Sequence, residues 1–109
     1  GEVETGLIIE IFATSEVVNP VIYDVFKRTH IKLNLTMHAN DTIVINTNSG
    51  QKGITLLRAG IESNIMGYLV PTSTWLKVYS GDNVFTYDAE SGESNMQLKF
   101  KTLALYGGV

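Results

Sequence analysis

Apolar side chains recur at every second position through most of this chain, and a period of two belongs to the β-strand. In GLIIEIFAT, Leu7, Ile9, Ile11 and Ala13 share one side. Ile8, Glu10 and Phe12 take the other, so both faces of this strand are expected to be partly covered. THIKLNLTMH sorts Ile31, Leu33, Leu35 and Met37 from His30, Lys32, Asn34, Thr36 and His38. That pattern suits a sheet with one face on a core and one in water. MQLKFK points Met96, Leu98 and Phe100 inward. No stretch has convincing helical spacing; the nearest is GIESNIMG, where Asn64 and Gly67 disfavour a helix.

Turn chemistry punctuates the alternation. Asn19-Pro20 interrupts it because proline cannot donate to a ladder. VIYDVF follows as a short strand. Asn40-Asp41 reads as a tight turn, after which TIVINT returns as the next strand. NSGQKG is a loop, ITLLR a strand and Ala59-Gly60 a turn. IESNIMGYLV supplies another strand or two before the break at Pro71–Thr74. TWLKVY then alternates into Gly81-Asp82-Asn83, residues suited to the positive φ of a hairpin turn, and VFTYDA is the return strand. Glu90–Asn95 is a further loop, and TLALY continues the last strand after a kink. The sum is roughly eight to ten short strands between turns, the layout of an all-β sandwich or barrel. A chain of 109 residues fits a single domain, 1–109, around one core. Its opening GEVETG is acidic and polar, unlike a secretory signal, and runs at once into a strand. We read the whole as one domain of a longer chain.

Composition narrows the chemistry. With 8 Lys and Arg against 11 Asp and Glu the net charge is −3, which offers no footprint for nucleic acid or an anionic membrane. Cysteine is absent, so disulfides and thiolate chemistry are excluded. No apolar run approaches the ~18 residues of a membrane helix. His30 and His38, on one side of a single predicted strand, would stand about 26 Å apart, too far to share a metal. Asp82, Asp88, Glu90 and Glu93 miss the calcium-loop spacing and read as solvated turn carboxylates. No nucleotide loop or nucleophile motif is present, and no acid–base constellation can be assembled. We expect no enzyme and no cofactor. Trp75 carries the one sharp alternative, a sugar-stacking platform shared with Lys77 and Tyr79 on the same face; partly buried packing is the plainer reading. On that alternation Leu76 and Val78 face the core.

Three segments in order carry a resemblance. GEVETGLIIEIFATSEVVNPVIYD is similar to a G-x-x-x-T/S-G strand followed by an N-P-x-I strand. LNLTMHANDTIVINTNSGQKGITL resembles a long hairpin, and STWLKVYSGDNVFTYDAESG an aromatic strand, an x-G-D-N turn and an alternating strand. The chain closes on LYGGV, like a Y-x-G-V terminus. Together they resemble the C-terminal domain of the siphovirus distal tail protein family (Dit), found in phages and prophages of Gram-positive bacteria. The resemblance implies a galectin-like or jelly-roll β-sandwich of two antiparallel sheets. It implies a structural part of the tail tip or baseplate, at the distal end of the virion tail and made in the bacterial cytoplasm. Its partners would be other phage tail proteins. Full-length members form a hexameric ring through an N-terminal belt domain to which nothing here corresponds, so the isolated domain is expected as a monomer. Galectins read sugar through His-x-Asn-Pro-Arg and Trp-Gly-x-Glu-x-Arg. Here His38-Ala39-Asn40-Asp41-Thr42 lacks the proline and arginine, and Thr74-Trp75-Leu76-Lys77 lacks the rest, so no galectin sugar site carries over. The runner-up is a carbohydrate-binding module contacting cell-wall polysaccharide through Trp75, Lys77 and Tyr79.

Overall fold

The computed structural model describes residues 5–79 and 83–102. Its spine is β1 (Thr5–Ala13), where the alternation is strictest: Leu7, Ile9, Ile11 and Ala13 are buried and Ile8, Glu10 and Phe12 half-buried. Antiparallel partners flank it, β6 (Thr42–Asn46) on one edge and β11 (Met96–Thr102) on the other. The sheet extends through β7 (Gly53–Arg58) to β8 (Ile61–Asn64), and β9 (Lys77–Val78) pairs with the start of β1. A three-stranded ladder lies apart from it: β10 (Phe85–Asp88), β3 (Val21–Asp24) and β4 (Thr29–Lys32). A separate two-stranded ladder joins β2 (Val17–Val18) to β5 (Thr36–Met37). This is the expected all-β sandwich of antiparallel sheets, its smaller side divided between two ladders.

The core gathers one face of each ladder. Ile9, Ile11, Ile43, Ile45 and Ile54 from the large sheet join Ile22, Ile31, Val17 and Met37 from the smaller ladders, all within 2% of full burial. Each such side chain contributes about 1.5–3 kcal/mol of transfer free energy. Leu33, Ile65 and Leu76, from segments between ladders, belong to the same cluster.

Strand pairing departs from the simple order of the sequence in three places. THIKLNLTMH keeps its alternation, with Ile31, Leu33 and Met37 buried, but breaks into β4 and β5, which pair in different ladders. TIVINT does not return along it; β6 crosses to the large sheet. VFTYDA does not pair with β9, and β10 instead lies on β3. Around GIESNIMG the chain makes only a 3-10 turn, Met66–Tyr68. Phe100 points to the core side yet is 40% exposed; its ring stacks on Phe85 at 5.3 Å between centroids. The proposed continuation TLALY falls at 102–106, of which residues 103–106 lie outside the described residues.

Two local devices shape the large sheet. The β7–β8 hairpin turns on Ala59-Gly60, with φ of 51° and 78°, the doubly left-handed geometry of a type I′ turn. Beyond the β1–β6 ladder, Thr47 is fully buried: its hydroxyl accepts the Leu7 N–H at 2.7 Å and its own N–H donates to the Leu7 carbonyl at 2.8 Å. A Cβ on neighbouring Gly6 would meet the Asn48 Cα at 2.6 Å, so only glycine permits this approach.

Candidate interaction surface

Trp75, Lys77 and Tyr79 lie in and beside β9, anchored by Leu76 at 1% exposure. Trp75 is half-buried and packs against the core cluster; Val78 also packs there. The Lys52 ammonium stands 5.9 Å from the Trp75 ring centroid, and that of Lys27 stands 4.3 Å from the Tyr79 centroid. Both aromatic rings therefore have a cation over one face. Asn83 closes the following loop: its Oδ1 accepts the Tyr79 N–H at 2.9 Å, and its Nδ2 donates to the Tyr79 carbonyl at 2.7 Å. The rest of the predicted turn, Gly81 and Asp82, lies outside the described residues.

A second constellation escaped the sequence reading. Asp41, read only as a turn residue, is 2% exposed. Its carboxylate accepts Arg58 Nη2 at 2.7 Å, Arg58 Nε at 3.1 Å and the His38 N–H at 2.7 Å. Burial alone would push the Asp41 carboxyl up; the guanidinium and the His38 N–H outweigh it and hold it below the usual carboxylate range. Asn40, at φ 72°, makes the turn that aims Asp41 at β7. No short-range signal in the sequence links residues 41 and 58; the β6–β7 pairing brings them together.

Arg58 also borders open space. A hollow of about 440 Å³ lies between β5, β8 and the Met66–Tyr68 turn, lined by Arg58, Ser63, Asn64, Tyr68 and Leu35. A second, of about 290 Å³, is lined by Ala59 and Ile61, with Leu56, Arg58 and Ser63 shared. Among the described residues Nη1 of Arg58 has no hydrogen-bond partner, so its two N–H groups remain available.

Among the described residues, groups that could do acid–base chemistry are dispersed except for the exposed pair Asp88 and Glu93. His30 tilts on Tyr23, with centroids 6.1 Å apart, and meets the Thr72 hydroxyl at 3.2 Å. His38 is exposed on the turn after β5. Glu93 is pushed up by its hydrogen bond to Asp88 and by that neighbour's charge, both carboxylates being exposed. Among the described residues no three His, Asp or Glu side chains come together as a metal site would require.

A family model described as the siphovirus-type tail component, C-terminal domain, matches residues 1–102. The chain belongs to this family. As a siphovirus tail component domain it is a structural part of a phage tail. No curated protein and no solved structure matches the chain. The three longer segments of the resemblance fall inside the matched span, and the closing LYGGV, at 105–109, lies outside it.

Proposed function

We propose that this tail domain is an outer docking module of the distal tail hub, holding other tail or baseplate proteins and catalysing nothing. Its family match across residues 1–102 carries the reading. The packed core, closed by long-range ladders, supports it: a rigid sandwich is a good platform for contacts made by edges and loops. In this reading the chain is one domain of a longer protein whose other part forms the hexameric ring, and the isolated domain is a monomer. The test is to raise antibody fragments against the domain and image labelled particles by electron microscopy. Label on the outside of the distal tail is expected; particles lacking the protein would remove the reading.

The carbohydrate reading at Trp75, Lys77 and Tyr79 would require sugar to stack where the Trp75 ring packs on the core and where lysines already cover the rings. Protein docking is therefore preferred.

A further inference from the structure

Two of the edge strands, β4 and β8, are treated differently by the fold. Residues 69–74 run along β4: Val70 N–H donates to the Lys32 carbonyl at 2.9 Å, Thr74 N–H to the His30 carbonyl at 2.7 Å, and the Lys32 N–H is taken by Ser73 Oγ at 2.9 Å. Among the described residues no strand is paired beyond β8, and all four of its residues are exposed, Ile61 to 70%. It is short and carries one charge, Glu62, but no lysine, proline or bulge to block an open edge.

The register says which groups the edge offers. Arg58 and Ile61 close a two-residue turn, so they form a hydrogen-bonded pair. The Ile65 N–H donates to the Ile54 carbonyl at 2.9 Å, in the same phase. Ile61 and Ser63 therefore bond inward to β7, and Glu62 and Asn64 turn their N–H and C=O groups outward. Ile61 and Ser63 project from the core side of the sheet, where the two hollows lie. Those two positions are about 7 Å apart, the side-chain repeat of one face of a strand.

We propose that β8 receives an extended segment of another tail protein as an added antiparallel strand. This rests on the docking reading above and names its surface and partner chemistry. The segment bonds to Glu62 and Asn64 and sends alternate side chains into the two hollows. Arg58, which lines both hollows beside Ser63 and is held from behind by Asp41, offers Nη1 donors that have no partner among the described residues and selects an acidic side chain. Two residues along, the hollow that Ala59 and Ile61 line selects an apolar one.

The experiment uses the full-length tail protein in assembled particles. A benzophenone amino acid in place of Glu62 is photolysed, and its crosslinks are mapped by mass spectrometry. Two further variants, Glu62→Pro and Ile61→Lys, are assembled separately. Glu62→Pro removes an outward N–H and no bond to β7; Ile61→Lys alters a side chain already in solvent, so it leaves folding intact even if the proline does not. Expected are crosslinks to one short acidic–apolar segment of a second tail protein, and at least tenfold loss of that protein from particles that retain either variant. Crosslinks to a second copy of this chain, no crosslinks, or variants that keep every structural protein at wild-type level overturn the proposal while leaving the docking reading intact. Absence of the unmodified protein from particles overturns both.

Discussion

Asp41 and Arg58, 17 residues apart, form a bidentate ion pair in which the carboxylate is buried and the guanidinium is 41% exposed on the rim of a hollow. Arg58 thus does two things: it neutralises a charge the fold has taken from water, and it keeps one nitrogen without a partner among the described residues. Removing it strands a buried acceptor. Arg58→Met should cost about 2 kcal/mol, near the middle of the range for an unpaired buried group. The solvent exposure of Arg58 and the retained His38 N–H keep it below a fully buried pair. Urea denaturation of both proteins measures the difference.

The same pair fixes an acid dependence. The Asp41 carboxyl is lower in the folded chain than in the unfolded one, so the folded state binds fewer protons in acid. Its stabilisation is complete above about pH 4, the unfolded value, and fades as pH falls through the folded value. Glu10 behaves alike, lowered chiefly by its Lys101 partner at 2.8 Å. Melting temperatures between pH 6 and pH 2 should fall less steeply for Asp41→Asn than for the wild type. Parallel curves would show that the pair contributes nothing to acid unfolding.

Thr47 gives a cleaner single-group test. Its hydroxyl is the acceptor for the Leu7 N–H beyond the β1–β6 ladder. Thr47→Val keeps the shape and loses the acceptor, which should cost about 1–3 kcal/mol. Gly6→Ala beside it should be worse tolerated, because the obstructing atom is Asn48 backbone. Thermal unfolding ranks the two.

Ala59 sits at φ 51° in the β7–β8 turn, where a Cβ is disfavoured. Ala59→Asn should stabilise the chain by about 0.5–1 kcal/mol, because Asn-Gly is the preferred pair for this turn.

Trp75 reports on the sugar alternative. With its ring packed on the core, fluorescence titrated with wall polysaccharide should stay flat. Saturable quenching that disappears in Trp75→Ala, with folding intact by circular dichroism, would instead place a glycan there.

The sequence by itself determined which residues face inward and where the chain turns. Leu7, Ile9, Ile11, Ile31, Leu33, Met37, Leu76 and Met96 are buried as their alternation demands, and Ala59-Gly60 turns as its composition demands. Both properties are local: a pleat repeats every two residues, and a positive φ belongs to one residue. Only the tertiary structure decided which strands are neighbours. β6 lies on β1 and β10 on β3, although sequence order offered nearer partners, because pairing is settled by closing two apolar faces over one core. The candidate surface inherits that dependence. Arg58 meets Asp41, and β8 is left at an open edge, only once the large sheet has its order, so neither could be seen in residue spacing.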